Sequence, residues 1–230
     1  MTSPVSSSAV VIGATGLVGR ECVKQLARPE FECVTAVARR ALPDDLQSPR
    51  LRTVLIDFDR LDERPDAFRA SHVFCALGTT IKQAGSRERF RQVDFGYSVR
   101  VAELAMAAGA RHFLLVSSVG AGPTSRGFYL RVKGDLEVAI MALGFPSVTV
   151  VRPSLLLGGR KEFRLGEEIA MRLSWAFPHK YRPVHVRDVA RALVNAAVED
   201  RPGVRVIESP EVSAQGSRRS TATSPTAPPS

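Results

Sequence analysis

Tyr129 and Lys133 stand four residues apart in the segment Gly127-Phe-Tyr-Leu-Arg-Val-Lys-Gly134. On a helix that spacing puts both side chains on one face. An ammonium beside a phenol stabilises the phenolate. A phenol tuned in this way can exchange a proton with a carbonyl or an alcohol. Tyrosine and lysine are both common on helices, so the pair gains its weight from where it lies. It follows an apolar run, Phe113–Val116, that ends in Ser117-Ser118. Those hydroxyls can bind the same substrate oxygen, and in open parallel sheets sites gather at the carboxyl ends of strands.

A second group lies near the start of the chain. Gly13, Gly16 and Gly19 form Gly-x-x-Gly-x-x-Gly directly after a short apolar run. Gly13 permits a tight turn, Gly16 lets backbone approach an anion, and Gly19 lets a helix pack hard on a sheet. Unpaired amides at the start of that helix then favour a diphosphate. The alternative is a glycine turn that serves structure alone. The next apolar run, Cys33–Ala38, ends in Arg39-Arg40 with no acid beside it. An acid at this point binds a ribose 2′-hydroxyl, whereas Arg accommodates a 2′-phosphate through its planar fork. NADP(H) is therefore preferred over NAD(H); an ordinary solvated Arg pair is the alternative. Asp57-Phe58 follows the third run and can flank an adenine, or Asp57 can simply cap a turn. In Leu77-Gly78-Thr79, Gly78 lets the chain pass close to a cofactor.

These residues need strands and helices to place them. Short apolar runs at Ala9–Gly13, Cys33–Ala38, Arg52–Ile56, His72–Leu77, Phe113–Val116, Val148–Val151 and Arg205–Ile207 read as strands covered on both faces. Helical patterns alternate with them: Ala14–Ala27, a long one over Gln83–Ala110, Phe128–Leu143, and shorter ones near Glu167–Ala176 and Val186–Val198. This order implies an α/β fold with a doubly wound parallel sheet in a single domain. Residues 1–8 are expected to be flexible, residues 9–212 to form the domain, and residues 213–230, rich in Ser, Thr, Ala and Pro, to be disordered.

Bulk properties exclude several classes. No apolar stretch reaches the length of a membrane span, and the first residues lack the pattern of a secretory leader. The three cysteines, Cys22, Cys33 and Cys75, are scattered, and Cys75 reads as a core thiol. That usage fits a reducing compartment, and a cytoplasmic location is expected. The net charge is +9, but the arginines are spread along the chain and no nucleic-acid motif accompanies them. A solvated basic surface is favoured over a nucleic-acid patch. His72 and His112 abut strands without acidic neighbours, and no pair has ligand spacing, so no metal is expected. His179 and His185 read as structural, and Trp175 as packing.

The order of Gly13-x-x-Gly16-x-x-Gly19, Ser117-Ser118, Tyr129-x-x-x-Lys133, Arg152-Pro153-Ser154 and Val184-His185-Val186-Arg187-Asp188-Val189-Ala190 resembles an extended or atypical short-chain dehydrogenase/reductase. The likeness is greatest to the Tat-interacting-protein-like oxidoreductases, related to the NAD-dependent epimerase/dehydratase group. It covers roughly residues 9–212. The resemblance implies NADPH contacts at the glycine turn (Gly13, Thr15, Gly16, Leu17, Val18, Gly19) and at Arg39, Arg40, Leu77, Gly78 and Thr79. It also implies them at Tyr129, Lys133, Leu156 and Arg164. Ser118 aligns best with the family's catalytic Ser, with Ser117 as fallback. The Asn-Asn-Ala-Gly stretch of standard members is replaced by Leu77-Gly78-Thr79-Thr80. The segment Gly158–Pro183 is short for a substrate lid, which leaves a small or open pocket, or one completed by a partner protein. Two functions follow. One is an oxidoreductase acting on a carbonyl or alcohol with Tyr129 as acid/base. The other is an NADP(H)-sensing regulator or scaffold with little turnover. Retention of Ser118, Tyr129 and Lys133 favours the first, since a sensor needs only the phosphate site.

Overall fold

The computed structural model describes residues 7–158 and 181–217. The expected helix near Glu167–Ala176, together with Arg164, Trp175 and His179, lies outside them. The described chain runs β1 (Ser7–Ile12), α1 (Leu17–Leu26), β2 (Phe31–Ala38), β3 (Leu51–Leu55), β4 (His72–Cys75), α2 (Ile81–Ala84), α3 (Arg87–Arg91), a π turn (Gln92–Gly96), α4 (Tyr97–Ala107) and β5 (His112–Val116). It continues through α5 (Phe128–Ala142), β6 (Ser147–Arg152), β7 (Leu156–Leu157), β8 (Val184–His185), α6 (Val186–Glu199), β9 (Gly203–Glu208) and α7 (Ser209–Ser217).

Seven strands form one parallel sheet in the order β3-β2-β1-β4-β5-β6-β9, and β7 pairs with β8 in a small second sheet. The strand order reverses between β1 and β4, so a crevice opens beyond their carboxyl ends. Each sheet face carries its own core. On one side α1 turns Val18, Cys22 and Leu26 inward beside Val189 and Leu193 of α6. On the other, Val101 and Ala105 of α4 meet Leu136 and Ile140 of α5. The central strands touch both layers, which is why β4 is buried at every position. Fully burying a side chain such as Phe113 or Leu115 contributes about 1.5–3 kcal/mol. Among the described residues no helix is long and apolar enough to cross a membrane.

Three expectations are corrected. The helix foreseen over Gln83–Ala110 is broken: Gly85 takes a left-handed conformation (φ +85°) that ends α2, and the Ser86 side chain then caps α3 by accepting the Arg89 N–H at 3.1 Å. The segment foreseen as disordered from Ser213 begins inside α7, which Val212 anchors through a fully buried side chain. Finally, His72 and His112 do have an acidic neighbour. Parallel pairing sets them side by side at the amino ends of β4 and β5. Asp200, just after α6, brings its Oδ1 to 2.9 Å from His112 Nδ1 and 3.3 Å from His72 Nε2.

That cluster makes stability depend on pH. Burial pushes His72 down to about 4 and lowers His112 too, although the Asp200 carboxylate pulls both upward. The unfolded imidazole titrates near 6.5. Between about pH 6.5 and 4 the unfolded chain therefore binds more protons than the fold, so stability is present above that window and lost as pH falls through it. Urea unfolding at pH 7.5 and pH 4.5 should differ by about 1–3 kcal/mol. A His72→Phe variant that retains the full difference would assign it to other groups.

Candidate functional site

The glycine turn joins β1 to α1. Gly13 has φ +81°, and a Cβ there would lie 2.5 Å from the Ala76 carbonyl oxygen, so the loop after β4 passes directly over it. A Cβ on Gly19 would collide with the Gly13 carbonyl. Neither position accepts a side chain. Gly16 is exposed and begins α1 with no side-chain cap, and the first turn carries no acid. The first amides of α1 thus face outward unanswered at the positive end of the helix dipole. This is a cradle for an anion. Thr15 is half-buried and Leu17 is exposed beside it, whereas the Val18 side chain belongs to the core, leaving its backbone N–H as the group able to meet a ligand.

Arg39 and Arg40 are exposed directly after β2, and neither forms an ion pair among the described residues. Asp57 caps the short helix after β3 by accepting the Asp59 N–H at 3.0 Å. Phe58 is buried and stacks on Tyr97 with ring centroids 5.7 Å apart. The capping alternative for Asp57 therefore matches its geometry.

The second half of the site lies beyond β4 and β5. Tyr129 sits in the first turn of α5, its ring against Phe90 at 5.6 Å between centroids, and it is 36% exposed. One turn further Lys133 points inward and is almost wholly buried. Its ammonium lies 2.7 Å from Asp94 Oδ1, off the line of a directed hydrogen bond. The other Asp94 oxygen accepts the Thr79 N–H at 2.9 Å. Burial alone would lower the Lys133 pKa, but the charges of Asp94 and Tyr129 outweigh it and the net shift is upward. Lys133 is thus held as a cation. A Cβ on Gly78 would lie 3.8 Å from Asp94 Oδ1 and 4.0 Å from Lys133 Nζ, so the bare backbone of Gly78 is what borders the pair.

Asp94 is the residue the sequence reading missed. It lies in the π turn between α3 and α4, has zero exposure, and no local motif marks it. π turns within helices are frequent at functional sites.

The two serines separate cleanly. Ser117 is buried and its hydroxyl donates to Glu137, which also holds Arg152 at 2.5 Å. Ser118 is half-buried. Its loop lies close against α5: a Cβ on Gly134, next to Lys133, would strike the Gly122 backbone. Val119 N–H bonds to the Pro153 carbonyl at 3.0 Å, which fixes this loop beside the end of β6. Leu156, in β7, is half-buried and pairs with Val184. Arg164 falls outside the described residues.

The site fits a dinucleotide on this chain's own features: a helix start with no side-chain cap, a glycine cradle that a Cβ would fill, and two exposed arginines beside it. Comparison with known proteins agrees. The family model described as NAD(P)H-binding matches residues 13–200. Protein HTATIP2 of Rattus norvegicus is 37% identical over 204 residues, covering 86% of this chain and 84% of that protein. Protein FMP52-1, mitochondrial, of Scheffersomyces stipitis is 36% identical over 222 residues, covering 89% and 96%. In fold, the chain is similar to MoeE5 in complex with UDP-glucose and NAD, with a TM-score of 0.67 over 94% of this chain and 82% of that one, at 22% identity. The expected cytoplasmic location does not stand, because the yeast relatives carry names that place those proteins in mitochondria.

Proposed function

The chain belongs to the NAD(P)H-binding family, and from that premise we propose that it is an NADP(H)-dependent oxidoreductase acting on a carbonyl or alcohol. The observation that carries this reading is the Asp94–Lys133 pair, buried beneath an exposed Tyr129 at the carboxyl edge of the sheet. The Lys133 cation interacts electrostatically with Tyr129, the arrangement a phenol needs for proton exchange. When bound, the nicotinamide supplies or takes up a hydride, and the protein contributes orientation and proton handling.

The roles follow from position. The first amides of α1 hold the diphosphate. Arg39 and Arg40 meet a 2′-phosphate. Gly78 and Thr79 border the nicotinamide ribose, and Lys133 donates to its hydroxyls. Tyr129 gives its proton to the substrate oxygen in reduction and takes one back in oxidation. Ser118 donates a hydrogen bond to the same oxygen and fixes its direction. Ser117 is committed to Glu137 and is not used. The substrate is a small molecule.

Fluorescence titration with NADPH and with NADH tests the cofactor assignment. NADPH should bind more tightly. The double substitution Arg39→Ala/Arg40→Ala should weaken NADPH by about 10–100-fold and leave NADH nearly unchanged, since each charge-assisted contact contributes about 1.5–3 kcal/mol. Equal binding of the two nucleotides by the parent protein removes the 2′-phosphate role from these arginines.

A further inference from the structure

His72, His112 and Asp200 lie at the amino edge of the sheet, opposite the dinucleotide cradle, and the proposed reaction makes no use of them. One nitrogen of each histidine and one carboxylate oxygen of Asp200 lie within 4.8 Å of one another. Asp200 Oδ1 is 2.9 Å from His112 Nδ1 and 3.3 Å from His72 Nε2. Ligands held about 2.0–2.1 Å from a tetrahedral ion stand about 3.3 Å apart.

The outer atom of each group is fixed as well. His72 Nδ1 meets Ser71 Oγ at 2.9 Å, and that hydroxyl accepts the Ser8 N–H and donates its one proton to the Ser8 carbonyl. In that arrangement His72 Nδ1 carries the hydrogen and Nε2 is a bare lone pair. That nitrogen is buried, faces the Asp200 carboxylate and has no hydrogen-bond partner among the described residues. Two lone pairs facing each other are answered by a proton or by a metal cation between them. His112 Nε2 meets Thr149 Oγ1 at 3.0 Å, and Arg111 Nε holds the second Asp200 oxygen at 2.6 Å. Metal-binding imidazoles are oriented in this way, through a partner on the ring nitrogen that does not ligate. Asp200 itself has φ +43°, where glycine or asparagine ordinarily ends a helix. Here an aspartate accepts that conformation and delivers a charge.

We infer that His72 Nε2, His112 Nδ1 and Asp200 Oδ1 form a binding site for one first-row divalent cation, zinc being the natural occupant. Two imidazoles and one carboxylate oxygen suit zinc or cobalt and disfavour magnesium and calcium, which take oxygen ligands. On binding, the His112 proton moves from Nδ1 to Nε2 and is donated to Thr149. The Arg111 guanidinium opposes added positive charge and so limits the affinity. The fourth position remains for water, beside a cleft lined by His112, Thr149, Glu199 and Arg205. The ion would staple the end of α6 to β4 and β5, apart from the chemistry.

Calorimetric titration of chelator-treated full-length protein with zinc chloride tests this, alongside Asp200→Asn and Thr149→Val. Asparagine tolerates the same backbone, so the first variant should fold. One equivalent of zinc should bind the parent, with affinity falling about 100-fold in D200N and about 10–100-fold in T149V. Cobalt chloride should give the visible bands of a four-coordinate site in the parent and not in D200N. Absence of saturable binding, or parental affinity in D200N, overturns the proposal and leaves the cluster as a hydrogen-bonded tie. NADPH binding is read separately, so failure here leaves the oxidoreductase reading untouched.

Discussion

Tyr129→Phe is expected to lower turnover of a carbonyl substrate by about 10²–10⁴-fold, the usual contribution of a positioned proton donor. NADPH affinity should stay near the parental value. The reason is structural. Tyr129 is 36% exposed, its ring rests on Phe90, and its hydroxyl bonds to no described residue. Phenylalanine keeps the ring contact and removes only the proton. Loss of activity therefore reports chemistry and not folding. The measurement is kcat and kcat/KM on the first substrate found in an NADPH-oxidation screen, with thermal unfolding as a control. Unchanged kcat would remove Tyr129 from the reaction.

The second large effect concerns Asp94. Asp94→Leu should destabilise the fold by about 3–5 kcal/mol, because it leaves the buried Lys133 ammonium without its counter-charge. It also orphans the Thr79 N–H that the carboxylate accepts. The double variant Asp94→Leu/Lys133→Met should recover most of that loss, since apolar groups of similar volume can replace a buried ion pair at little cost. It should nevertheless remain inactive. Urea unfolding of the parent, both single variants and the double variant gives the coupling energy directly. If the double variant is as unstable as Asp94→Leu alone, the loss arises from packing around the π turn and not from the charge.

Much of this was legible in the chain. The glycine turn, the alternating apolar runs and Tyr-x-x-x-Lys are local patterns, and each lies where the sequence placed it within a few residues. What was hidden depended on distance or on burial. Asp94 meets Lys133 across two helices, and nothing adjacent to it announces a partner. His72 and Asp200 are joined only because α6 ends beside the amino edge of the sheet. Ser117 and Ser118 differ in the fold because the Ser117 hydroxyl faces Glu137, an acid twenty residues downstream. Asp57 and Phe58 also have structural duties that their sequence leaves open, a cap and a ring stack. Helix α7 escaped notice because its composition is that of a tail, and one buried valine is enough to seat it.

The π turn at Gln92–Gly96 has one more effect. Successive residues of an α-helix are clocked about 100° apart, so the extra residue of a wider turn resets the clock for everything after it. Upstream, Phe90 and Arg91 address α5, through the Tyr129 ring and Asp135. Downstream, Val101, Ala102 and Ala105 address the sheet. The two stretches keep separate phases along one continuous rod. The wall that supports the phenol and the wall that fills the core are therefore free to drift independently, and the residue at the phase break is the one that holds Lys133.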